Sequence, residues 1–191
     1  MHEDAASTPL AEAEYKIRLT AEEFAAMPAA LVALGFTPAG DRALRDDYLD
    51  YRPSPVGGWD YTRLRTADGD RYVLAEKRWT VDAHGHPVRL EEERTVTREE
   101  AEAALRQATI IRTLQKRRWT YHGTLDGRDA EIVLDALEMR GTTEYFLECE
   151  LRVPPEEFTQ TRRRIVAWMG AHLPAGDFSQ APSMLQMLLS S

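Results

Sequence analysis

Like charges stand two residues apart in segment after segment of this chain, and in those same segments the apolar residues also alternate. Glu12 and Glu14 precede Lys16, Arg63 precedes Arg65, Glu91 precedes Glu93, and Glu148 precedes Glu150. Alternation with period two is the signature of a strand, and residues two apart on a strand project from one face. Adjacent carboxylates are costly unless something cationic lies between them. A small barrel normally fills its interior with apolar side chains, so these sets are incompatible with a solid barrel. They fit a hollow one, with an acidic wall facing a basic wall across a water-filled lumen.

The strand candidates run over 11–20, 40–51, 58–66, 71–80, 88–97, 109–123, 127–138 and 143–153. Asp68-Gly69 and Asp126-Gly127 are hairpin signals, and Pro53-Ser-Pro55 with Gly57-Gly58 and His84-Gly85-His86-Pro87 mark further turns. Thr20-Ala-Glu-Glu23 and Thr97-Arg-Glu-Glu100 are capping boxes that open helices, the first closing at Gly35 and the second near Gln107. A third helix starts at Pro154-Pro155 and runs to about His172, and a short fourth covers 182–189. Hairpin-linked strands with peripheral helices predict an α+β fold, an eight-stranded antiparallel β-barrel or strongly curled sheet. At 191 residues, the chain reads as one domain, with tunnel strands over 11–153 and helices over 154–190.

Composition narrows the function. With 32 acidic and 24 basic side chains and a net charge of −8, the chain is not a general nucleic-acid binder. No stretch is apolar enough to span a membrane and the N-terminus lacks a signal-like apolar core, which predicts a cytoplasmic protein, a monomer or a homodimer. The single cysteine, Cys149, excludes an internal disulfide framework and reads as a packing residue. Oxygen-only acidic clusters suit Mg²⁺ or Mn²⁺, ions that a protein usually shares with substrate phosphate. The basic sets suit polyphosphate oxygens, arginine through bidentate bonds and lysine as a point charge. There is no glycine-rich phosphate loop, because Gly57-Gly58 lies in a proline-rich hairpin.

Taken in order, the motifs resemble the CYTH superfamily, the triphosphate tunnel metalloenzymes. Glu12-x-Glu14-x-Lys16 resembles its E-x-E-x-K signature, and Arg45-Asp-Asp-Tyr48-Leu-Asp50 its second-strand motif. Tyr61-Thr-Arg63-Leu-Arg65 and Glu76-Lys77 resemble the arginine and lysine strands. Arg117 falls at the position of a phosphate-binding arginine, while Ile132-Val-Leu-Asp135 and Leu147-Glu148-Cys-Glu150 resemble the closing strands. The resemblance implies triphosphate binding by Lys16, Arg63, Arg65, Lys77 and Arg117. It implies metal binding by Glu12, Glu14, Glu148, Glu150 and Asp135, with Glu93 or Asp135 activating a water. The implied reaction is Mg²⁺- or Mn²⁺-dependent hydrolysis of a small-molecule triphosphate. Inorganic tripolyphosphate is expected to be preferred to ATP, since nothing in the sequence announces a nucleobase site. Thiamine or nucleoside triphosphatase, class IV adenylate cyclase and a non-catalytic polyphosphate binder are the alternatives. One departure is the absence of any lysine after Lys116, with Ser183 where the family often carries one. Arg162, Arg163 and Arg164 read as a solvated helix face.

Overall fold

The computed structural model describes residues 10–108 and 111–190. Its elements are β1 (Ala11–Leu19), α1 (Ala21–Ala33), β2 (Thr37–Pro53), β3 (Trp59–Ala67), β4 (Arg71–Val81) and β5 (Pro87–Val96). There follow α2 (Arg98–Gln107), β6 (Ile111–Leu125), β7 (Arg128–Met139), β8 (Thr142–Val153), α3 (Phe158–His172) and α4 (Met184–Leu189). Among the described residues, the strands form one closed antiparallel barrel in the order β1-β5-β4-β3-β2-β6-β7-β8. The start expected for the sixth strand, 109–110, lies outside the described residues. Among the described residues, no helix is long and apolar enough to cross a membrane.

Local chemistry places the turns and caps. Asp68-Gly69 and Asp126-Gly127 both take positive φ (52° and 86°, 53° and 78°), which closes a three-residue hairpin loop, Asp68 to Asp70, between β3 and β4 and a two-residue one between β6 and β7. Arg140-Gly141 does the same between β7 and β8, at 53° and 79°. Arginine is a poor turn signal, which is why that hairpin was not foreseen. Thr20 and Thr97 form complete capping boxes on α1 and α2. The expected proline-led helix begins as a 3₁₀ turn, Pro155–Glu157, before α3 proper.

The main apolar core lies outside the barrel. Ala13, Ile17, Leu134, Leu147, Cys149 and Leu151 face outward and pack against Met27 and Leu31 of α1 and Ile165 and Met169 of α3. Each large apolar side chain so buried contributes about 1.5–3 kcal/mol. Helix-covered outer faces thus supply the stabilisation that an ordinary small barrel draws from its inside. Burial pushes the Cys149 thiol up to about 12, as expected of an inert packing residue. At one end of the lumen, Met184, Leu185 and Met187 of α4 pack on Tyr48, Tyr61, Leu114, Leu137 and Phe146. That apolar floor closes beneath a charged interior.

Candidate active site

The interior follows from strand parity. With Ala11, Ala13, Tyr15 and Ile17 turned out to the helices, Glu12, Glu14 and Lys16 must turn in. β8 runs antiparallel to β1 with Lys16 opposite Glu148 and Glu14 opposite Glu150, so both E-x-E pairs meet on one inner wall. β5 adds Glu91 and Glu93 through its pairing with β4. Arg63 and Arg65 of β3, Lys77 of β4 and Arg89 of β5 form the basic side together with Lys116 and Arg118 of β6. The lumen has a volume of about 1000 Å³. Six inward residues expected from parity (Glu14, Arg63, Arg65, Lys77, Glu93 and Glu148) all line it.

Across the lumen, the two walls neutralise each other. Lys16 holds Glu148 at 2.6 Å. The Lys77 ammonium lies 2.7 Å from Glu12, 2.6 Å from Glu91 and 4.0 Å from Glu14. Arg63 reaches Glu93 at 2.8 Å and Glu91 at 3.2 Å, and Arg89 pairs with Glu14. Arg65 grips Asp46 through two bonds, 2.7 and 3.0 Å. Buried ion pairs recover their desolvation cost poorly, and apolar replacements are often as stable or more so. A wall of them is therefore poorly explained by stability and well explained by a charged ligand. Arg63 Nε supplies a direct sign, being buried with no hydrogen-bond partner among the described residues. A donor so placed is open to a ligand or water oxygen.

The acidic side behaves as a set short of positive charge. Burial, reinforced by Glu150, Glu91 and Glu14, holds the Glu12 carboxyl well above the ordinary range despite Lys77. Burial likewise raises Glu150. Glu91 and Glu148 go the other way. Burial opposes their ionisation, but Lys77 with the Glu12 hydrogen bond and Arg63 on the first, and Lys16 with Arg118 and Lys77 on the second, together outweigh it and hold both well below the usual range. Among the described residues, no three acidic side chains stand grouped as a ready-made metal cage. The donor set nonetheless suits a hard divalent ion. It is all oxygen, and the Lys77 ammonium already sits as a cation among Glu12, Glu91 and Glu14.

Two of the expected site residues depart from expectation. Arg117 lies on the outer surface, where its Nε bonds Asp41 at 2.9 Å and its guanidinium stacks on Trp119. It shares parity with Trp119 and Tyr121, which pack outward; the inward basic residues of β6 are Lys116 and Arg118. That parity was available in the sequence, but three consecutive basic residues concealed the phase. Asp135 points inward but stands behind the cations. Arg118 binds it at 2.7 and 2.6 Å and Lys116 at 2.9 Å, so its oxygens are committed to them. It is 1% exposed. Burial opposes its ionisation, yet Arg118 and Lys116 bring it down to about 2. Lys116, desolvated and beside Arg118, falls to about 7. Arg89, Lys116, Arg118 and Asp46 escaped the sequence reading as site residues; Arg89 carries the same parity as Glu91 and Glu93. Ser183 caps α4 and borders the lumen. Arg162 is not a solvated charge, since it bonds the Glu14 carbonyl and Gln180.

The fold and its charged lumen define a tunnel-type barrel. Residues 10–169 match the CYTH domain family, and the chain belongs to that family. No curated protein matches its sequence significantly. Solved structures share the fold at low identity. One is a Vibrio parahaemolyticus protein assigned as an adenylate cyclase, with TM-score 0.63, 15% identity and coverage of 96% of this chain and 99% of that one. Another is a Hippeastrum protein assigned as an adenylyl cyclase and described as having a dominant triphosphatase activity, with TM-score 0.58, 18% identity and coverage of 94% and 95%. A Pyrococcus horikoshii protein aligns at TM-score 0.58 and 17% identity over 94% and 98%.

Proposed function

We propose that this protein hydrolyses the terminal phosphoanhydride of a small-molecule triphosphate, with inorganic tripolyphosphate as the simplest substrate and Mg²⁺ or Mn²⁺ as cofactor. The observation that carries the reading is the unpartnered Arg63 Nε inside a lumen walled by lysine and arginine. Lys16, Arg63, Arg65, Lys77 and Arg89, with Lys116 and Arg118, bind phosphate oxygens in exchange for their present carboxylate partners. Catalysis of this kind is mostly positioning and charge neutralisation.

Glu12, Glu14, Glu148 and Glu150, joined by Glu91, hold the divalent ion. When bound, the ion offsets phosphate charge and polarises the anhydride. Glu93, the more exposed partner of Arg63, accepts the proton of a water that attacks the terminal phosphorus in line. The bond from that phosphorus to the bridging oxygen breaks, giving orthophosphate and pyrophosphate. Asp135 serves by fixing Lys116 and Arg118.

The test is phosphate release from tripolyphosphate with Mg²⁺ or Mn²⁺, compared with the same protein in chelator. Metal-dependent release that is abolished in Arg63→Ala supports the assignment. Binding of tripolyphosphate with no turnover under any metal condition would leave a non-catalytic binder instead.

A further inference from the structure

Among the described residues, all but one of the lysines and arginines lining the lumen lie within 2.9 Å of a carboxylate. Even Arg128, near the rim, stands 2.6 Å from Glu157. Arg152 is the exception. Its guanidinium is 3.8 Å from Glu93 and 3.7 Å from Glu150, and its side chain makes no hydrogen bond among the described residues. Strand parity turns it into the lumen with Glu148 and Glu150, opposite Glu12 of β1. Along the same face of β8, Phe146 belongs to the apolar floor, so Arg152 lies about 20 Å further on, at ~3.3 Å per residue. That places it at the far, open end, where its side chain is 56% exposed. Exposed ion pairs contribute little to stability, so the fold gains little from an arginine set on an otherwise acidic wall.

The neighbouring carboxylate gives this arginine its context. Glu93 is held from one side, with Arg63 on Oε1 at 2.8 Å, while its Oε2 faces Arg152 across 3.8 Å. A polar gap of that width accommodates a bridging water. Such a water would touch the free oxygen of the carboxylate and the guanidinium together. On the other side, Glu150 stands too far from Arg152 for a hydrogen bond. Once Glu150 serves a divalent ion, the guanidinium keeps even less claim on it.

We propose that Arg152 is a catalytic residue at the open end of the lumen, binding the terminal phosphoryl oxygens during attack and then the orthophosphate released. This rests on the reading of the lumen as a triphosphate site with Glu93 as the base. The phosphorus under attack lies about 3–3.5 Å from the water, and that water borders Glu93 Oε2. The terminal oxygens therefore come within reach of a guanidinium 3.8 Å from the same carboxylate oxygen. In the step, the water oxygen bonds to phosphorus and its proton passes to Glu93. The bridging P–O bond breaks, and its electron pair leaves with pyrophosphate. A guanidinium forks to two phosphate oxygens at once. The other lumen cations each give up a close carboxylate to meet phosphate, whereas Arg152 gives up none. Pyrophosphate stays among the deeper cations, and orthophosphate departs on the side where Arg152 stands.

The experiment compares wild type with Arg152→Ala and Arg152→Lys on tripolyphosphate. Arg152→Ala should lower kcat by about 100-fold, the scale of one lost transition-state donor, with KM within about threefold. Free guanidinium ion added to this variant should restore about tenfold of the loss, a rescue that a merely structural role would not give. Arg152→Lys, which keeps the charge and loses the fork, should fall between the two. Thermal stability and calorimetric Mn²⁺ affinity should match wild type, because the side chain is half exposed and makes no hydrogen bond. A kcat for Arg152→Ala within about threefold of wild type, or a fall that guanidinium does not relieve, overturns the role. Wild-type turnover would then still support the lumen assignment. Wild type that hydrolyses neither tripolyphosphate, ATP nor thiamine triphosphate would remove that assignment and the role of Arg152 with it.

Discussion

Replacing Asp135 by asparagine separates a supporting role from a metal-binding one. The side chain keeps its shape and loses the charge that faces Lys116 and Arg118 at 2.9 and 2.6 Å. A carboxyl held down from 3.8 to about 2 favours its ionised form in the fold by about 2.5 kcal/mol, at ~1.4 kcal/mol per pH unit. Leaving two buried cations short of a partner raises the cost toward the ~3–5 kcal/mol typical of broken buried pairs. Asp135→Asn should therefore cost about 2.5–4 kcal/mol at pH 7, a fall in Tm of roughly 5–15 °C for a chain of this length. The pH dependence has a definite sign. Because the folded value is depressed, the wild-type contribution is complete above about pH 4 and is lost as pH falls toward 2. The gap between wild type and variant should close over that window. Urea unfolding at a series of pH values measures it, and calorimetric Mn²⁺ titration at pH 7 should show metal affinity within about threefold of wild type. A variant as stable as wild type but with metal affinity lost would refute the reasoning and return Asp135 to the metal set.

Four further outcomes follow from the structure. Arg65→Ala should lower kcat/KM for tripolyphosphate and ATP alike by about 10–100-fold, the loss of a charge-assisted contact; Arg117→Ala, on the outer surface, should change it less than twofold. Glu12→Gln should cut metal-dependent turnover by two orders of magnitude or more with the fold intact by circular dichroism. Since burial raises Glu12 and Glu150, metal binding by wild type must displace protons from them. Affinity should thus strengthen as pH rises, with proton release seen by calorimetry in buffers of different ionisation enthalpy. Gly123→Ala should cost about 1–3 kcal/mol, because a Cβ there would lie 2.6 Å from the buried Phe36 ring; unchanged thermal stability would show that the ring can yield.

The sequence by itself determined the barrel and most of its inner walls. Strand period, Asp-Gly turns and capping boxes are local properties, and parity carries a side chain's direction along a strand once a single residue is placed. That is why Glu12, Glu14, Arg63, Lys77 and Glu148 were legible. Parity cannot say which of two faces is inside when both carry charge, and at Lys116-Arg117-Arg118 the family resemblance pointed to Arg117, the outward residue. The register of Arg118 opposite Asp135 and the outward packing of Trp119 settle it. Nor does parity measure depth, so only the folded chain shows Asp135 enclosed by its cations. The parting of β1 from β5, which pair only at Ala11 and Leu90, is the furthest from the sequence. It depends on Arg162 and Ala181 reaching back to β1 across more than 140 residues. Such long-range convergence leaves no periodic trace in a chain, because local pattern records direction and tertiary packing alone records proximity.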